Sequence, residues 1–452
     1  MMDILQPLKQ PSRESRLAAL EAQCKRNGGL MHHRPLTEEV NNHVHTIYSF
    51  SPYSPTEVAA AARYAGLRAV GSIDHDSIAA ADELHSAARI IGIGATSGFE
   101  LRVSWRNTPY NDARLNSPDA CGVSYVVVHA VPARSRAAAD SLLGPIREAR
   151  RRRNARQVAG LNAVIGRIGI RPLSNAEDVE PLSRVAEGGT VTERHILFAL
   201  AERLTREIGR GRRLIRELQR AFGLELSETQ TAQLSDPESP HYLYDLLGAL
   251  KAELLPRFYL EPGPDECVLL ESVIEHAHRL EAVMAYPYLG DVTDSPTGDK
   301  KAAEFEDAYL GELIPYLKSA GFHAVTYMPP RNTREQLLCV QRLCRGHELM
   351  EISGVDINSS RQSFTCAEVL EPEFRHLIDS AWALIAHEEL AEKDPTLGLF
   401  HPRSPLRTEG VENRIAAYAR LGRALDLRRP QDCAMDEAAL MRCRSETGGG
   451  LK

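Results

Sequence analysis

The sequence lacks the features that would place it in a membrane, outside the cell or along a nucleic acid. No run of about 18 apolar residues occurs, so no spanning helix and no membrane partner are expected. The segment Met1–Gln10 has neither the basic start nor the apolar stretch of a secretory leader, which makes a cytoplasmic protein the expectation. Basic residues number 54 against 61 acidic, a net charge of -7, so no long-range pull on polyanions and no nucleic-acid partner are expected. The eight cysteines are scattered without a Cys-x-x-Cys pair and read as reduced thiols rather than a disulfide or zinc framework. There is no internal repeat, and low complexity is confined to Gly448-Gly449-Gly450, which should fray.

What is present is apolar material and a change of pattern along the chain. With 452 residues, 43% hydrophobic and 25% charged, the chain exceeds one average domain and can bury a large core. From about Glu39, short apolar strands alternate with helical stretches, the pattern of parallel strands joined by crossover helices. The expected strands are Asn41–Thr46, Ala69–Ile73, Ser97–Val103, Tyr125–Val131, Ala282–Tyr286, Ala324–Tyr327, Met350–Ser353 and Ala383–Ala386. Between the first two, Ser54, Pro55, Glu57 and Gly66 mark a helix with a capping box and a glycine stop. The alternation gives way to helical spacing between about Ser135 and Glu275. The expected organisation is an N-terminal helical extension over 1–36, a barrel in two parts over 37–135 and 276–400, a helical insertion over 136–275 and a helical tail over 401–452. In the insertion, Arg150-Arg151-Arg152-Arg153 reads as a solvated helix face more readily than as a phosphate grip.

Metal-type side chains collect at the ends of the early strands. His43 and His45 stand two apart, so both imidazoles leave one strand face and can reach one cation. Alone, the pair reads equally well as two ordinary histidines. Asp74-His75-Asp76, Glu100 and His129 then close three further apolar runs, and four such endings on the rim where α/β barrels carry their sites favour a metal centre.

The segments His-x-His-Thr-x-x-Ser at 43–49, Asp-His-Asp at 74–76 and Gly-Phe-Glu at 98–100 resemble the first three motifs of the PHP (polymerase and histidinol phosphatase) superfamily. The resemblance covers roughly 37–135 and 276–390. It implies a distorted (β/α)7 barrel and phosphate-ester hydrolysis with up to three divalent ions. It also implies metal ligation by His43, His45, His75, Glu100, His129 and Asp356, with Glu100 bridging two ions and Glu100, His75 and Asp356 at the reaction centre. Arg194 and His195 resemble a phosphate-binding element in the insertion of related phosphoesterases, and Arg331 offers a second guanidinium after a strand. Lys300 and Lys301 are weaker candidates.

Departures from the family pattern matter as much. Phe50 stands where a ligand is usual, Tyr286 replaces the histidine of a later strand, and Asn358 replaces the last histidine. One ion position therefore reads as complete, a second as partly kept and a third as largely lost, with zinc, manganese or iron all suited to the donors. His387 and Glu388 are candidate replacements at the end of an expected strand, though a structural role fits them better. The expected activity is hydrolysis of a small phosphorylated metabolite, a phosphomonoester of the histidinol-phosphate, sugar-phosphate or nucleotide kind, by metal-activated water. The alternative is a single-metal lyase, isomerase or amidohydrolase-like enzyme. A binding module with a vestigial site is disfavoured by the four ligands kept at one position. An oligomer is compatible with the sequence.

Overall fold

The apolar alternation that starts at Val40 becomes a curled sheet. A computed structural model describes residues 2–26, 35–117, 120–166, 169–291 and 305–445; Lys300, Lys301 and the glycines 448–450 lie outside them. The strands are β1 (Val40–Val44), β2 (Ala69–His75), β3 (Gly94–Ser104), β4 (Val123–His129), β5 (Val268–Leu269), β6 (Val283–Tyr288), β7 (Ala324–Tyr327) and β8 (Met350–Ser353). Seven lie in the order β1-β2-β3-β4-β6-β7-β8, with β5 paired on β3. The ends approach one another: His45 N donates to Ile357 O at 2.9 Å, and Val44 bridges Ile357 just beyond β8. The result is a nearly closed, distorted α/β barrel.

The distortion has a definite source. β4 runs antiparallel to both β3 and β6, whereas the other pairs are parallel. The expectation of uniformly parallel strands is corrected here, because the link from β3 to β4, residues 105–122, holds no crossover helix among its described residues. The expected strand Ala383–Ala386 is also corrected: it lies within the helix His376–Lys393. That helix is buried nearly all round, between the sheet and the helix Val411–Arg423, and a short apolar run buried in this way has no period that separates helix from strand.

The helix Pro55–Ala65 forms as its signals require. Ser54 Oγ accepts from Glu57 N at 3.2 Å, Glu57 Oε2 accepts from Ser54 N at 2.8 Å, and Gly66 ends the helix at φ 94°. The helix Arg13–Lys25 docks on the barrel through a buried bidentate pair, Arg16 to Glu83, at 2.6 and 2.8 Å. The 30-residue helix Arg136–Ile165 belongs to two cores. Its first half, with Ala139, Leu143 and Ile146, packs into the barrel core, and Val158, Leu161 and Ile165 pack into a separate apolar cluster of the helical insertion. The tail returns to the barrel, since Tyr418, Leu421 and Leu440 join the barrel core.

Candidate metal centre

Register brings the early motifs together. β2 and β3 pair with His75 opposite Glu100, and Asp76 N donates to Glu100 O at 2.8 Å. β1 and the residue after it supply His43 and His45, with ring centroids 5.2 Å apart. His43 Nε2 lies 3.6 Å and His45 Nε2 3.5 Å from the Glu100 carboxylate, and His75 Nδ1 lies 2.8 Å from it. The loop after β8 brings Asp356 Oδ1 to 3.0 Å from His45 Nε2. Donor atoms of His43, His45 and Glu100 all fall within 4.8 Å of one another in a buried pocket.

Two of the donors suit a cation because their ring nitrogens have no other partner. His43 Nε2 and His75 Nδ1 are buried without a hydrogen-bond partner; the short approach of His75 to Glu100 is out of line for an N–H···O bond. Buried ring nitrogens are ordinarily hydrogen-bonded or bound to metal. The support beneath His45 agrees. Its Nδ1 lies 3.2 Å from Ser49 Oγ, which donates to Asp74 Oδ1 at 2.6 Å. Ser49 therefore accepts the Nδ1 proton and Nε2 is turned to the pocket. Asp74 also accepts from Thr46 N and Thr46 Oγ1, at 2.7 and 2.6 Å, so the Thr and Ser of the first motif clamp Asp74 rather than reach the pocket.

Electrostatics divide the group. Burial pushes Glu100 up against the pull of His43 and His45, and it pushes His43 down against Glu100. His75 falls well below the ordinary histidine range through burial and the charges of His45 and Arg150. Burial also works against charge on His45 and Asp356, yet their hydrogen bond and mutual attraction prevail, lifting His45 to about 9 and holding Asp356 well below the carboxylate range.

His129 is placed differently from the expectation. Because β4 is antiparallel, its C-terminal end points away from the rim, and Glu100 faces Val127 rather than His129. His129 sits two residues deeper on the same face, about 7 Å by strand rise. It is buried with both ring nitrogens unpartnered, and burial followed by the charge of His43 takes it to about 3. It thus neighbours His43 outside the tight group.

Two of the three departures from the family pattern have other work. Tyr286 donates its hydroxyl to Glu306 Oε2 at 2.6 Å, deep in the core. Phe50 packs edge-on to His195 at 5.0 Å and against Phe198 and Tyr244, which makes it the barrel's contribution to the insertion core. Asn358 donates to Asp356 Oδ1 at 2.9 Å, so its amide is engaged in orienting that carboxylate. His387 and Glu388 lie on a helix away from the centre: His387 bonds to Glu281 O and Leu399 N, and Glu388 to His85, Arg136 and Ser97.

The insertion brings Arg194 and His195 to the rim through Phe50. Arg194 Cζ stands 6.0 Å from the Phe50 ring centroid, and its charge acts on Asp356. Among the described residues it has no ion-pair partner. His195 Nδ1 accepts from Thr192 N at 2.9 Å in a capping box, and burial takes the ring to about 3. Arg331 is committed in part to loop structure, its Nε donating to Leu289 O at 3.1 Å. The arginine run is not a solvated face throughout. Arg150 and Arg153 are buried, and with Arg102 they meet Asp76, Glu193 and Glu266. Arg150 Nη1 holds Asp76 Oδ2 at 2.7 Å, directly after His75, so the run braces the site.

No family model matches the chain. An 81-residue stretch is 32% identical to a 5'-3' exoribonuclease of Haemophilus influenzae, spanning 18% of this chain and 30% of that relative. A structure described as a metal-dependent phosphoesterase from Bifidobacterium adolescentis aligns over 75% of this chain and 96% of its own, at 19% identity and a TM-score of 0.47. An amidohydrolase from Chromobacterium violaceum, solved with sulfate, aligns over 73% of this chain and 90% of its own, at 15% identity and a TM-score of 0.46.

Proposed function

We propose that this chain is a metal-dependent phosphoesterase of PHP type that hydrolyses a small phosphorylated metabolite in the cytoplasm. The observation that carries the reading is the convergence of His43, with its Nε2 unpartnered, His45 and Glu100 beside Asp356, whose carboxylate feels the charge of Arg194, a side chain with no ion-pair partner among the described residues. His43, His45, Glu100 and Asp356 would hold one ion, and Glu100 with His75 or His129 would hold part of a second. A bound divalent cation offsets phosphoryl charge and makes a water acidic enough to attack near neutral pH. Asp356 and Glu100 supply the negative charge that a cation needs, and Ser49 keeps His45 in the ligating tautomer. Arg194 meets the phosphate from the insertion side, and His195, bonded through Nδ1, presents Nε2–H to it. The barrel and Phe50 exclude water from the flanks.

The relative matched over 81 residues is named a 5'-3' exoribonuclease, so short RNA joins the phosphomonoesters among the substrates to be tested. A second reading, a single-ion amidohydrolase-like enzyme, is favoured by the tight group being limited to His43, His45 and Glu100 while Phe50 and Tyr286 are engaged elsewhere. The test loads the protein with zinc, manganese or iron, counts bound ions and follows phosphate release from sugar phosphates, histidinol phosphate and nucleotides, nucleotide release from short RNA, and turnover of a panel of amides. Release from at least one monoester with two ions bound supports the proposal. No release under any metal, or turnover of amides alone with one ion, overturns it.

A further inference from the structure

The seam where the barrel nearly closes contains a device outside the ligand set. Between β1 and β2, Asn41 pairs with Val70 and Val44 with Ser72, so three steps of β1 span two of β2. Such a bulge re-aims side chains and leaves backbone groups off the ladder. His43, inside the bulge, gives its N–H to Asn41 Oδ1 at 3.1 Å instead. The same oxygen accepts from Val355 N at 2.9 Å, one residue before Asp356. Asn41 is fully buried. The two chains also lie unusually close: a Cβ on Gly354 would stand 2.3 Å from His43 Cβ, so only glycine fits there.

We infer that Asn41 is a positioning residue whose side-chain oxygen sets the spacing between His43 and Asp356, and so the affinity of the ion site. The inference rests on the metal-centre reading above. One acceptor holds the backbone of one proposed ligand, His43, and of Val355, the residue before another, across a seam that lacks a regular ladder. Asn42 provides the contrast. It is as deeply buried, and its Nδ2 donates to Ser353 O at 3.0 Å across the same seam, but it touches neither the His43 nor the Val355 N–H.

The experiment measures zinc affinity by competition with a fluorescent chelator for the full-length protein and for Asn41→Leu, Asn41→Asp and Asn42→Leu, with the metal-free thermal midpoint of each. Loss of a supporting partner weakens metal binding by about 10–100-fold, the result expected for Asn41→Leu. Asn41→Asp keeps the acceptor and should rescue affinity to within about threefold of the unaltered protein, a loss smaller than that range. Asn42→Leu should lower the thermal midpoint and leave zinc affinity unchanged. If Asn41→Leu does not fold, Asn41→Ala carries the same expectation without a branched side chain to place. Wild-type affinity in a folded Asn41→Leu or Asn41→Ala, equal losses in Asn42→Leu, or no rescue by Asn41→Asp would overturn the inference alone. Absence of zinc, manganese and iron binding by the unaltered protein would overturn the metal-centre reading and this inference with it.

Discussion

Replacing Arg150 with methionine removes one cation from a buried set of six charges. Arg102, Arg150 and Arg153 face Asp76, Glu193 and Glu266, three of each sign. Arg150 lies 2.7 Å from Asp76 and 2.9 Å from Glu193, and the three side chains are 3%, 3% and 9% exposed. Methionine occupies a similar volume, so the cavity left is small and the main effect is an uncompensated negative charge out of reach of water. Breaking a buried pair from one side costs about 3–5 kcal/mol. That is a large part of the roughly 5–15 kcal/mol that holds a typical domain together. The double variant Arg150→Met with Asp76→Asn restores charge balance, so it should be more stable than Arg150→Met alone although it changes more. Urea unfolding followed by far-UV circular dichroism, in excess chelator so that ion binding does not contribute, reads both. A cost under about 1 kcal/mol, the value of an exposed pair, would refute the reasoning. So would simple additivity in the double variant.

Three further outcomes follow from the site. His45 stands at about 9 in the metal-free protein, so near neutral pH an arriving cation must displace a proton; zinc uptake should release about one proton, read by calorimetry in buffers of different ionisation enthalpy, and zero release would contradict it. Arg194→Ala should raise KM for a phosphoester about tenfold, the worth of one charge-assisted hydrogen bond, with an unchanged thermal midpoint; an unchanged KM would remove Arg194 from substrate binding. Glu193 is held well below the carboxylate range because Arg150, Arg102 and Arg153 outweigh burial, so its folded value lies under its unfolded one. Its contribution is full above about pH 4.3 and is lost as pH falls through the folded value. Glu193→Gln should therefore be less stable at neutral pH with a shallower acid limb, and matching acid limbs would contradict this.

The residues that could be read from sequence are those whose role depends on local pattern. His43 and His45 share a strand face by period alone, Ser54 and Glu57 cap their helix, and seven of the eight expected strands form. What could not be read depends on long-range direction. The antiparallel course of β4 lowers His129 by one layer, and nothing within Val123–His129 reports which way the strand will run. The run Ala383–Ala386 is apolar on every side because it is enclosed by the sheet and another helix, so its burial hid its helical period. Arg150 and Arg153 resembled a wet helix face because their partners, Asp76, Glu193 and Glu266, lie 40 to 113 positions away in sequence. Asn41 was visible only as a neighbour of His43, since its role appears when β8 closes on β1.

The proposed function requires that water bound at the candidate metal centre attack a phosphate ester. Hydrolysis of an active phosphoester in oxygen-18 water, with the released phosphate examined by mass spectrometry, tests it most directly. One oxygen-18 per phosphate, dependent on added divalent ion and abolished in Glu100→Gln and in His43→Ala, is the predicted result. Phosphate release that persists in both variants or without divalent ions would contradict the account, as would label appearing in the alcohol product.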